Sequence, residues 1–206
     1  MPGQIVILNG APRSGKSSIA EAIQQTFDGV WMNLGVDHFF RATPPRYRPG
    51  IGLRPGGGEL PKVEALVPTL YAAMYDSIAA HSRLGLNVAV DVGHHDAYAV
   101  PLHILADCAR RLAGLPVLFV GVHCPIEVIM ERRHVSEPGR ERQYLRGTPE
   151  EPIPAPVQRW QDEVHKGHTY DLEVDTSQLT PEQCALVIRE RLASGPPGTA
   201  FPNLAP

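Results

Sequence analysis

The chain of 206 residues is 43% hydrophobic, enough to bury one sizeable core, and its length fits one domain better than two. A formal net charge of -3 and a pI near 6.3 provide no global attraction to nucleic acid or to an anionic membrane. Three widely spaced cysteines, Cys108, Cys124 and Cys184, contain no C-x-x-C pair and suggest neither a disulfide framework nor a structural zinc site.

The first apolar run, 5–8, is far shorter than the core of a signal peptide and leads directly into glycine-rich sequence. No later run approaches the roughly 18 apolar residues of a membrane span, so a reducing cytoplasm is the expected location. In chain order, 5–8 reads as a strand, 17–27 as a helix, 30–36 as a strand and 63–80 as a helix. Residues 88–92 then read as a strand, 101–112 as a helix, 117–122 as a strand, and 126–133 and 157–165 as helices. A strand at 172–174 and a helix at 181–192 complete the series.

Such alternation predicts an α/β fold, a single domain with a five-stranded parallel sheet flanked by helices. Ligands then gather where strands end at their carboxyl side. Two stretches interrupt the pattern: 43–61, dense in Pro and Gly, and 138–156, rich in Arg, Glu and Pro. They read as substrate loops or a mobile lid, spanning about 134–156, or as simple surface connections. The domain is expected to cover 1–194, and 195–206, with four Pro and two Gly, to form an irregular tail.

Between the first strand and the first helix stands Gly10-Ala11-Pro12-Arg13-Ser14-Gly15-Lys16-Ser17, a full G-x-x-x-x-G-K-[ST] phosphate loop in the context that motif requires. Gly10 and Gly15 allow a tight backbone turn, so that N–H groups and the following helix N-terminus, including Ser18, face phosphate oxygens. Lys16 would reach the β- and γ-phosphates, and the Ser17 hydroxyl would serve magnesium. The motif serves ATPases, GTPases and kinases alike, so the reaction must be read from other residues.

Asp91 ends the run 87–91, where a carboxylate at a strand terminus holds magnesium directly or through water, or caps a loop. Asp37 follows 30–36 in the same way and is either a turn residue or a base for an attacking hydroxyl. Arg132, Arg133, Arg140, Arg142 and Arg146 surround the lid candidate. An arginine closing over the phosphates would stabilise transition-state charge, while others would be solvated or paired with Glu131, Glu137 and Glu141. His94-His95-Asp96 reads better as substrate-contacting than as a transition-metal site, since adjacent histidines in an extended turn point apart. His165 and His168 read as solvated or capping, and Trp31 and Trp160 as core residues.

These residues resemble the chloramphenicol phosphotransferase family of phosphate-loop kinases. The resemblance runs through Ile7-Leu8-Asn9-Gly10, Leu34-Gly35-Val36-Asp37, residues 117–124 and 163–177, notably Tyr170-Asp171-Leu172-Glu173-Val174-Asp175-Thr176, and covers about 4–192 in order. It implies a nucleotide-kinase-like fold, ATP as donor with Mg2+, Asp37 as base toward an acceptor hydroxyl and Lys16 as phosphate ligand. It also implies arginines after Ile126, here Arg132 at the nucleotide and Arg133 at the transferring group, closing over the phosphates. The family's paired aspartates after the central strand are reduced here to Asp91, and 43–61 and Gly93-His94-His95-Asp96 differ in the acceptor region. The resemblance favours a chloramphenicol-like acceptor, with a metabolic acceptor such as a sugar or nucleoside, or a nucleotide-dependent switch or ATPase module, as the alternatives; a nucleic-acid 5′ end would call for a basic groove, against which the slight acidity argues.

Overall fold

The computed structural model describes residues 1–48, 55–56, 60–135 and 144–205. Its five strands are β1 (Ile5–Asn9), β2 (Trp31–Asn33), β3 (Asn87–Val92), β4 (Val117–His123) and β5 (Leu172–Asp175), all parallel in the order β2-β3-β1-β4-β5. The helices are α1 (Lys16–Thr26), α2 (Val36–Ala42), α3 (Pro61–Glu64), α4 (Val67–Arg83), α5 (Ile104–Arg111), α6 (Ile126–His134), α7 (Ala155–Glu163) and α8 (Pro181–Ser194). No helix among the described residues is long and apolar enough to cross a membrane.

Every residue of β1 is buried because helices cover both faces of the sheet. Side chains alternate across a strand, so Ile5 and Ile7 join Val88 and Val90 under α4 and α5, while Val6 and Leu8 join Ala89 and Val120 under α1 and α8. A third apolar group, Ala11, Cys124, Ile129, Met130, Val157, Trp160 and Val164, joins α6 and α7 to the phosphate loop. The helix α8 begins in a reciprocal capping box, with Thr180 Oγ1 accepting from the Gln183 amide and Gln183 Oε1 accepting from the Thr180 amide.

The structure departs from the expected elements in two places. The second strand is three residues long rather than 30–36: Leu34 N–H still donates to Ala89 O, but Asn33 Oδ1 accepts from Gly35 N–H and turns the chain, and Val36 opens α2. The apolar run there continues through a turn into a helix, whose Asp37 in the first turn and Arg41 in the last suit the helix dipole. The helix expected at 63–80 is two, α3 and α4, with Pro68 in the first turn of α4, where its missing N–H costs nothing.

The carboxyl-terminal stretch is irregular apart from a turn of 3-10 helix at Pro202–Leu204, yet it is part of the core. Phe201 is fully buried, stacked on Tyr75 at 5.9 Å and edge-on to Phe119 at 5.2 Å. Asp171 anchors this stretch, its Oδ1 accepting from the Thr199 and Ala200 amides at 2.7 and 3.0 Å. Phe201→Ala is therefore expected to lower stability by about 3–5 kcal/mol, read as the shift of the denaturant midpoint. An unchanged midpoint would show that the core closes without the tail.

Candidate active site

At the carboxyl edge of the sheet, beside β1 where the strand order reverses, lies a cleft of about 350 Å³. Its floor is the phosphate loop. Gly15 has φ 95°, a left-handed conformation that suits glycine, and stands before the first turn of α1 with no side-chain cap, leaving amides there for an anion. Gly10 is needed for close approach instead, since a Cβ there would lie 2.4 Å from Val122 O. Arg13 holds φ 73°, the kind of strained non-glycine backbone that clusters at functional sites.

Lys16 Nζ donates to Gly10 O and Ala11 O, both at 2.8 Å. Burial lowers its pKa to about 8, partly offset by the nearby carboxylates of Asp91 and Asp37. Ser17 Oγ donates to Asp91 Oδ2 at 2.6 Å, joining the hydroxyl at the head of α1 to the carboxylate on β3. A hydroxyl and a carboxylate in this arrangement are the hard oxygen ligands that magnesium takes, so these residues fit the ion.

Gly35 makes this arrangement possible. A Cβ at that position would lie 1.5 Å from Asp91 Oδ1, so the turn into α2 touches the carboxylate directly. Gly35→Ala is expected to displace Asp91 from Ser17 and so to weaken the hold of that pair on an added magnesium ion about tenfold or more, measured by titration with the metal. Binding equal to the parent's would show that the turn can yield.

Asp37 lines the cleft from the first turn of α2, not from a strand exit. Pro12, Arg13 and Arg133 line it on the loop side, with Val36, Phe40, Tyr71, Leu145, Val157 and Trp160 forming apolar walls. Arg133 is buried, donating to Pro12 O and Leu145 O at 3.5 Å. The Tyr144 ring has Arg13 5.1 Å and Arg133 5.5 Å from its centroid, a pair of cation–π contacts at the cleft wall. Arg132 lies outside the cleft, between the phosphate loop and the turn after β5: it donates to Thr176 Oγ1 at 3.0 Å, to Thr176 O at 2.7 Å and to Arg13 O at 3.4 Å. Arg13 in return donates to Arg132 O.

Within the loop Ser14 and Ala11 are buried, whereas Ser18 is exposed and does not line the cleft. Arg146 and Glu131 are exposed and line no part of it. Arg140, Arg142, Glu137 and Glu141 lie outside the described residues, as does much of the 43–61 stretch.

The histidines are placed differently from expectation. His94 and His95 are buried behind the cleft wall: His94 Nε2 hydrogen-bonds Tyr75 Oη at 2.7 Å, its burial lowers its pKa to about 3, and His95 sits edge-on to Trp160 at 5.1 Å. Neither lines the cleft; they pack behind Tyr71 and Trp160, which do. His165 is half-buried rather than fully solvated: it stacks on His123 at 4.0 Å, bonds Tyr170 Oη at 2.8 Å and is held neutral by burial, its pKa lowered to about 3. Trp31 is core, and Trp160 is both core and cleft wall. Trp160 apart, the apolar wall residues and Tyr144 give no signal in the sequence because they carry no motif and meet only through the fold.

Residues 3–193 match the family described as Chloramphenicol phosphotransferase-like protein. The chain belongs to that family. A Mycobacterium tuberculosis H37Rv protein named "Putative O-phosphotransferase" is 28% identical over 215 aligned positions, covering 98% of this chain and 88% of its own. The fold recurs in a sugar kinase from Janibacter sp. HTCC2649, at TM-score 0.59 and 18% identity over 100% of this chain and 99% of that one. It recurs in shikimate kinase from Acinetobacter baumannii (0.60, 14%, covering 93% and 94%) and in Mycobacterium tuberculosis APS kinase solved with AMPPNP and APS (0.59, 16%, covering 94% and 99%). This member of the chloramphenicol phosphotransferase-like family is accordingly a kinase, an enzyme that transfers a phosphoryl group to a hydroxyl acceptor.

Proposed function

We propose that the protein uses ATP with Mg2+ and moves the γ-phosphoryl group to a hydroxyl of a small molecule with an apolar body, a chloramphenicol-like compound being the favoured acceptor. The observation that carries this reading is that Lys16, the Ser17–Asp91 pair and Asp37 face one cleft that also has an apolar side, formed by Val36, Phe40, Tyr71, Val157 and Trp160. Gly10, Ala11, Pro12, Arg13, Ser14, Gly15, Lys16 and Ser17 would hold the donor's phosphates, and Ser17 and Asp91 the metal. Magnesium, when bound, neutralises phosphate charge. Arg132 lies on the outer side of the loop, suited to the nucleotide, and Arg133 on the inner side, suited to charge on the transferring group.

The acceptor hydroxyl gives its proton to the Asp37 carboxylate as its oxygen bonds the γ-phosphorus and the bridging bond to ADP breaks. Lys16 stabilises the charge on the phosphoryl oxygens, and positioning supplies most of the rate. An apolar wall offers a polyhydroxylated sugar few hydrogen-bond partners, which favours an acceptor with an aromatic or aliphatic body over a metabolic sugar or nucleoside. The reading includes a cytoplasmic enzyme with no nucleic-acid or membrane partner.

The test is incubation of the protein with ATP, magnesium and a panel of chloramphenicol, related hydroxylated antibiotics, sugars and nucleosides, followed by mass spectrometry of the acceptors. A phosphoryl gain on chloramphenicol supports the reading, and gain on a sugar or nucleoside alone replaces the acceptor. Turnover that responds to no small hydroxyl compound but rises with a protein partner would instead indicate a switch.

A further inference from the structure

The residue immediately before the phosphate loop is a fully buried asparagine whose carboxamide oxygen and nitrogen are both hydrogen-bonded. Asn9 Oδ1 accepts from the His94 amide at 2.6 Å. Its Nδ2 donates to Val164 O at 3.0 Å and to Tyr170 Oη at 2.9 Å, with His94 O at 3.4 Å. The orientation of the carboxamide follows from chemistry, because a backbone N–H requires the oxygen and a backbone carbonyl the nitrogen.

These partners belong to three separate segments behind the cleft, and none of the three lines it. His94 follows Asp91 by three residues, and its ring lies 4.8 Å from that of Tyr71, an acceptor-side wall residue. Val164 closes α7, which carries the wall residues Val157 and Trp160, and its own amide bonds Trp160 O at 3.1 Å. Tyr170 leads into β5 and passes the network on to His165 at 2.8 Å.

We propose that Asn9 is a positioning residue that clamps the phosphate loop, the segment after Asp91 and the end of α7 into one arrangement, so that the donor loop and the acceptor wall respond together. A buried, fully satisfied polar network suits this role, since losing one member leaves several groups desolvated without partners. The clamp itself is independent of the acceptor; its role in catalysis rests on the nucleotide reading above.

Hydrogen exchange on the full chain separates the two. In Asn9→Asp the new carboxylate oxygen faces both Val164 O and His94 O in place of a donor, so each of the two segments loses a bond and meets a repelling charge. Without ligand, exchange is expected to rise about tenfold at 94–98 and at 164–168 and to stay within about twofold in the centre of β4. Addition of Mg2+ and a non-hydrolysable ATP analogue to the parent should slow exchange at 10–17 and, through the clamp, by about threefold or more at 94–98 and 164–168. Asn9→Asp should keep the first effect and lose the second.

A folded variant with parental exchange at both distant segments, or with nucleotide still protecting them, overturns the proposal. Should Asn9→Asp not fold, Tyr170→Phe serves. It removes one Nδ2 acceptor without touching the bond to His94, so exchange should rise at 164–168 and not at 94–98, and a rise at neither would overturn the clamp. Lack of nucleotide protection at 10–17 in the parent refutes the nucleotide reading instead, and the ligand-free comparison still decides on Asn9.

Discussion

Lys16→Met is expected to lower phosphoryl transfer by roughly 10³-fold or more. Its ammonium group bonds two loop carbonyls, Gly10 O and Ala11 O, and lies between the fields of Asp91 and Asp37. Removing it leaves those carbonyls without their donor and brings two carboxylates and an incoming polyphosphate together with no compensating cation. Single-turnover rates and nucleotide affinity should both fall, and Lys16→Arg should not restore the rate, because a planar fork cannot replace a compact point charge. A variant that keeps parental turnover would remove the lysine from the reaction.

The second large effect belongs to Asp37. Asp37→Asn should leave nucleotide affinity nearly unchanged while turnover drops by roughly 10²- to 10⁴-fold, the range for loss of a positioned base. The contrast with Lys16 is the informative part. Asp37 lines the same cleft but is held by α2, away from the loop that would grip the phosphates, so its substitution separates chemistry from donor binding. An equal loss in affinity and rate would point to a role in holding the metal or the loop; unchanged turnover would remove Asp37 from the mechanism.

The two predictions rest on residues of unequal legibility. Lys16 is announced by a contiguous eight-residue motif between a strand and a helix, because a phosphate cradle needs successive amides and glycines in one short loop. Asp37 stood out for its place after an apolar run and for the family resemblance, yet it sits on a helix the apolar pattern did not distinguish from a continuing strand. Its position was legible and its local structure was not, since a single Asn33–Gly35 turn and a three-residue pairing with β3 decide where the strand stops.

Short-range chemistry thus determined the phosphate loop, the parallel α/β alternation and the main helices, all of which depend on neighbours within a few residues or on a simple period. The cleft's apolar walls, the contact of Gly35 with Asp91, the burial of His94 and His95 and the docking of Phe201 depended on the folded chain. So did the bonds of Asn9 to residues 85 to 161 positions away. The reason is physical: a local motif carries its own geometry, whereas a wall or a clamp exists only when hydrogen bonds and packing bring distant segments within a few ångströms of one another.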